Sequence, residues 1–247
     1  MRRAVDGGLV GRQLDTHIVI CGFPRTGTTL LQLLIESCVE DICSFVGEVE
    51  AGWACRNANR RHRWMVTKRP DDISEIDRLR DWYRDHPGRL AALLPIRDPR
   101  DVLTSTHAGY PPSRGYYCEP ERWSAVHRRV RNLEGDADVT TLRYEDLVRC
   151  PQQVQDLLDE RLGLERIARF EDYESFAETK AHTLHDIDLG ALGGIRPIDD
   201  QAVDRWEQPE HRDRLVAMLR VLPELPEAVR HWGYASDDGW VERLVSR

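Results

Sequence analysis

The chain has 247 residues and a formal net charge of −8, with 40% hydrophobic and 32% charged residues. It is long enough to bury a substantial core as one α/β domain, and that excess of acid excludes a protein that coats a nucleic-acid backbone with Lys and Arg. No apolar run approaches the roughly 18 residues of a membrane span, and the six cysteines include no CxxC pair.

In chain order, the opening MRRAVDGGLVGRQ has two arginines and no apolar stretch behind them. This sets the expectation of a cytoplasmic chain with reduced thiols and no secretory signal. Short apolar runs at 17–21, 43–46, 64–67, 90–96 and 139–142 are predicted strands. Helical patterns cover 28–37, 73–85, 101–107, 120–133, 151–161, 210–222 and 225–231. Their alternation predicts a three-layer P-loop-like α/β fold, a central parallel sheet flanked by helices. Residues 109–118, rich in Gly, Pro and Tyr, and the Gly-containing stretch 181–200 read as loops.

The stretch IVICGFPRTGTTLLQLLIES joins an apolar run, a Gly-bearing turn and an apolar helix. Gly22 and Gly27 are spaced as in a phosphate-binding loop, in which successive N–H groups and a helix N-terminus face an anion. Thr28, however, stands where a nucleoside-triphosphate loop carries its lysine. That lysine reaches the β- and γ-phosphates during transfer, so its absence disfavours ATP or GTP as donor. Arg25 supplies a cation suited to bidentate contact with a tetrahedral oxyanion. A second anion site is suggested by LPIRDPRDVLTS at 94–105. Arg97 falls at the carboxyl end of a strand, where ligands of open parallel sheets bind, and Ser105 offers a hydroxyl. Asp101 needs no role there beyond complementing a helix dipole.

GFPRTGTTL followed by IRDPRDVLTS resembles the sulfotransferases that use 3′-phosphoadenosine 5′-phosphosulfate (PAPS). The resemblance implies that Arg25, Thr26, Gly27, Thr28 and Thr29 hold the 5′-phosphosulfate, and that Arg97 and Ser105 hold the 3′-phosphate. RYEDL at 143–147, which in that family follows a central strand, adds Tyr144. Arg196-Pro197 is similar to a late basic loop of the tyrosylprotein branch, and HWGY at 231–234 to its C-terminal helix end. The whole chain, 1–247, is then a single sulfotransferase domain. It would move a sulfuryl group from PAPS to a hydroxyl, phenol or amine of a small molecule and release 3′-phosphoadenosine 5′-phosphate, with no metal, nucleic acid or membrane involved.

Such a transfer needs a base and cations around the moving group, held in line. Glu48, after the run ending at 46, is the first candidate for the base and Glu50 the second. Lys68, just past a strand, is the candidate for stabilising the leaving oxygen, with Arg69 in reserve and Arg25 on the transferring group. The resemblance implies the same choice, a glutamate base and an NKDP-type lysine. His107 reads as a surface or core histidine. His182 and His185 lack a third metal ligand at convincing spacing. Trp53, Tyr110, Tyr116 and Tyr117 are aromatic candidates for an acceptor pocket. Two other readings stand beside this one: a P-loop nucleotide kinase or NTPase, and a non-catalytic nucleotide-binding regulator.

Overall fold

A computed structural model describes residues 14–45, 47–58, 61–106, 115–180 and 194–246. Strands β1 (Thr16–Ile20), β2 (Ile42–Cys43), β3 (Trp64–Lys68), β4 (Arg89–Ile96) and β5 (Val139–Arg143) form one sheet in the order β2-β3-β1-β4-β5. Every pairing is parallel. The side-chain period of two sends alternate residues to opposite faces. Val19, Cys21, Met65, Ala92 and Leu94 join one core, and Ile18, Ile20, Val66, Ala91 and Leu93 the other. Both faces are covered, which explains why these strands read as continuous apolar runs.

The helices are α1 (Thr28–Cys38), α2 (Ala51–Asn57), α3 (Ile76–Asp85), α4 (Pro99–Leu103), α5 (Pro120–Leu133), α6 (Tyr144–Arg149), α7 (Pro151–Leu162), α8 (Glu174–Lys180), α9 (Arg212–Val221), α10 (Leu225–His231) and α11 (Gly239–Val245). Side chains of α1 and α7 fill one core, while α2, α3, α5 and the C-terminal helices fill the other. The predicted three-layer α/β architecture is the observed one. Pro at the first helical position starts α5 and α7 where the sequence suggests, because its fixed φ suits that position and its missing N–H is not needed there.

Several boundaries differ from expectation. The helix expected at 101–107 spans Pro99–Leu103. It starts early because the Asp98 carboxylate accepts from the Arg100 N–H at 2.9 Å, and it ends where the Thr104 hydroxyl turns back to the Arg100 carbonyl at 2.7 Å. Ser105 therefore lies two residues beyond this helix. Strand β2 covers Ile42–Cys43 and not 43–46, and Val46 lies outside the described residues. RYEDL follows β5, an edge strand of the sheet and not a central one. The predicted helix at 73–85 is divided into a 3-10 turn, Pro70–Glu75, and α3. His107, Tyr110, His182 and His185 fall outside the described residues. Among the described residues no helix is long and apolar enough to cross a membrane.

Candidate active site

The first anion motif leaves the carboxyl end of β1 and folds into a tight loop. Gly22, Arg25 and Gly27 all have positive φ, at 115°, 66° and 80°. Only glycine takes that region freely, and an arginine held there is locally strained. The Thr26 hydroxyl donates to the Phe23 carbonyl at 2.8 Å and closes the loop. Helix α1 begins at once at Thr28, so its N-terminus faces the loop's hollow. Gly27 has a second reason to lack a side chain: a Cβ there would sit 2.6 Å from Cδ2 of Tyr144. The ring of Tyr144 thus packs directly on the loop.

The second motif lies beside the first because β1 and β4 are neighbours, with Ile20 opposite Leu93. Arg97, one residue past β4, donates through Nη1 to the Arg25 carbonyl at 3.1 Å, and its guanidinium lies 4.8 Å from the Tyr144 ring centre. Arg25 Nε donates to Ser105 Oγ at 3.0 Å. The two motifs, some 70 residues apart in sequence, therefore meet in direct contact. Burial, and then the charge of Arg97, depresses the Arg25 guanidinium pKa. A doubly cationic corner of this kind favours an anionic occupant.

Asp101 does more than complement a helix dipole. It is 1% exposed, pairs with Arg97 at 3.3 Å, and accepts from the backbone N–H groups of Asp204 and Trp206 at 3.0 and 2.8 Å. Arg97 also donates to the Ala202 carbonyl. These bonds draw residues 202–206 across the site. The result is a cavity of about 280 Å³ whose walls include Arg25, Thr28, Thr29, Arg97, Tyr144, Arg196 and Arg205, together with the apolar Leu30, Val148 and Ile198. Tyr173, also in the wall, donates its hydroxyl to the Arg196 carbonyl at 2.5 Å, and the Arg196 guanidinium pairs with Asp199. Four arginines around one hollow favour an anionic occupant. Nothing in the sequence marks Tyr173 or Arg205 for this wall. The spacing of Asp101 four residues after Arg97 is the one local signal for their pairing.

Glu48 and Lys68 also meet. Lys68 ends β3 opposite Ile20 of β1, and its side chain is 2% exposed. Its Nζ lies 3.5 Å from Oε1 of Glu48, whose own side chain is 54% exposed. Glu50 points elsewhere: it lies 3.8 Å from Arg69 and borders a separate cleft of about 320 Å³ between α2 and α3. Arg69 also faces Asp72 at 3.6 Å. Asp72 is buried and accepts from the Ala51 N–H at 2.8 Å; burial pushes its pKa up to about 6. Tyr116 is placed beside His211, at 3.3 Å, and the Tyr117 N–H donates to the Ser105 carbonyl at 2.8 Å. Trp53 is half exposed beside Phe45.

No protein-family model matches the chain, and no curated protein matches it by sequence. Solved structures do match it in shape. The sulfotransferase domain of the Synechococcus PCC 7002 olefin synthase is 15% identical, with a TM-score of 0.54 over 85% of this chain and 95% of that one. The sulfotransferase domain from the curacin biosynthetic pathway is 16% identical, with a TM-score of 0.50 over 84% of this chain and 99% of that one. The chain has the fold of sulfotransferase domains.

Proposed function

We propose that the protein is a PAPS-dependent sulfotransferase that sulfates a hydroxyl, phenol or amine of a small molecule. The observation that supports this most is the contact between the two anion motifs. Arg25 bonds Ser105 and receives Arg97 on its carbonyl, and both arginines line one cavity. A nucleotide with phosphate at both its 3′ and 5′ positions has charges at the spacing such a site can grip together. PAPS supplies the transferable sulfuryl group. The loop around Gly27 would hold its 5′ end, with Arg97 and Ser105 at its 3′-phosphate and Tyr144 and Arg196 lining the space between. Glu48 takes the acceptor's proton as the acceptor oxygen or nitrogen bonds to sulfur and the sulfur–oxygen bond to the 5′-phosphate breaks. Lys68 and Arg25 offset the negative charge gathering on the departing phosphate oxygen.

Thermal melts compare adenosine 3′,5′-bisphosphate with Mg-ATP, since a ligand that binds the native state alone raises the melting temperature. The bisphosphate is expected to protect and Mg-ATP to protect less. Turnover is then followed by bisphosphate release. Glu48→Gln is expected to lower kcat by about 10²–10⁴ with bisphosphate affinity retained, and Lys68→Ala to do likewise. Full turnover in both variants would remove these two residues from the mechanism. Stronger protection by Mg-ATP would replace the reading with that of an NTP-binding protein.

A further inference from the structure

We infer that Gln32 and Glu36, on the helix of the anion loop, are positioning residues for Glu48: they hold the segment that carries it from β2 to Lys68. The inference rests on the reading of Glu48 as the base of a sulfuryl transfer. Strand β2 pairs with β3 through Ile42 with Trp64 and Cys43 with Met65. Strand β3 runs on to Lys68, but Ser44 and Phe45 stand outside the ladder. Glu48 nevertheless arrives beside the end of β3, with its Oε1 3.5 Å from Lys68 Nζ. Gly47, with a φ of 69°, turns the backbone just before it, in a region that glycine takes freely.

Helix α1 supplies bonds that the ladder does not. A backbone carbonyl without a strand partner needs another donor, and the Gln32 side-chain amide donates to the Phe45 carbonyl at 3.0 Å. The Ser44 hydroxyl bonds the Glu36 carboxyl. Gln32 and Glu36 stand four residues apart, hence on one face of the helix, and are 1% and 5% exposed. Together they grip two successive residues of the segment that leads to Glu48.

Both side chains are costly where they stand. Leu31, Leu33, Leu34 and Ile35 beside them are buried in one apolar core, and an amide or carboxyl buried among such neighbours costs free energy unless it is hydrogen-bonded. Glu36 Oε2 has no hydrogen-bond partner among the described residues, so its carboxyl is only half satisfied. Sequences break local rules of this kind chiefly where function requires it. The requirement here is alignment. Helix α1 begins at Thr28, directly after Gly27, and Gln32 stands about one turn, roughly 6 Å, further along it. The anion loop and the base are thereby mounted on one helix. Misplacing a reacting group by about 1 Å can cost about 10² in rate.

Amide hydrogen exchange on the full chain tests the tether without any turnover. Gln32→Met and Glu36→Leu are each expected to speed exchange across residues 44–49 about tenfold, with β1 and β4 unchanged. Bisphosphate release from PAPS, with phenol as the acceptor and with water alone, tests the effect on Glu48. Gln32→Met is expected to lower kcat by about 10–10², with the KM for PAPS and the bisphosphate affinity retained. Glu36→Leu is expected to act likewise, and Glu36→Gln, which keeps an oxygen for Ser44, to restore the rate. In a Glu48→Gln background, Gln32→Met is expected to cost nothing further, because residues that act through one group are not additive. Wild-type exchange across 44–49 in Gln32→Met would overturn the inference, and so would losses that multiply in the double variant. The two levels separate in turnover. A rate lost in Glu48→Gln but kept in Gln32→Met leaves the base standing and overturns the positioning role. Faster exchange in Gln32→Met with full turnover in Glu48→Gln leaves the tether standing, but removes Glu48 as the base and the inference with it.

Discussion

Glu36 on α1 shows how far a single residue can work against the fold. It is 5% exposed, its Oε2 meets no partner among the described residues, and burial raises its pKa to about 7, against a weaker lowering by the Ser44 hydroxyl. A carboxyl whose pKa rises on folding holds its proton more tightly in the native state. Stability is therefore fullest at acid pH and falls as pH climbs from about 4.3, the unfolded value, to about 7. A tenfold change in proton affinity is worth about 1.4 kcal/mol, so the ceiling on this loss is about 3–4 kcal/mol. Glu36→Gln is expected to raise the melting temperature at pH 8 by several degrees and to change it little at pH 4.5. Melts at the two pH values check this, and an equal rise at both would show that the gain is not electrostatic. The same scale explains Gly27, whose φ of 80° and whose contact with Tyr144 both forbid a side chain.

Among the elements, α4 joins the second anion motif to the C-terminal part of the chain. Asp101 on this helix holds Arg97 on one side and the Asp204 and Trp206 amides on the other. Removing one partner of a buried ion pair typically costs about 3–5 kcal/mol. Asp101→Asn is thus expected to lower stability and to weaken adenosine 3′,5′-bisphosphate binding by at least about tenfold, because Arg97 loses its tether. Calorimetric titration measures the affinity; wild-type affinity in a folded Asp101→Asn protein would mean that Arg97 is held by its other contacts. This link was not legible in the sequence, since its far partners are backbone N–H groups more than a hundred residues away. The first anion motif was legible because its geometry is local: glycines, turn and helix follow one another within a dozen residues. Strands β1, β3, β4 and β5 were legible for the same kind of reason, as apolar runs covered on both faces. The seven-residue helices α2 and α11 were missed. The edge position of β5 was also hidden, because strand order is set by crossovers and leaves no local mark.

Over the whole molecule, the C-terminal helices are built into the site's foundation. Arg100 is paired to Asp98 at 2.6 Å, donates to the Tyr234 carbonyl at 3.1 Å, and lies between the rings of Trp206 and Trp240, 3.7 and 5.0 Å from their centres. The Tyr234 hydroxyl donates to Glu145 at 2.7 Å, and Glu145 accepts from the Asp98 N–H at 3.1 Å. This buried network ties α6, the second motif and the C-terminal region into one unit. Trp240→Ala is expected to cost about 3–5 kcal/mol through lost packing, read as a lower midpoint in urea unfolding, and to loosen the bisphosphate along with it. A loss of stability with ligand affinity intact would show that the C-terminal packing and the site are independent. The carbonyl that Arg97 reaches, at Ala202, lies 105 residues further along the chain. On the ribosome, the turns around Gly27 and Arg97 are therefore made long before the stretch that roofs them. A nascent polypeptide stopped short of that roof holds the recognisable motifs yet lacks the closed cavity.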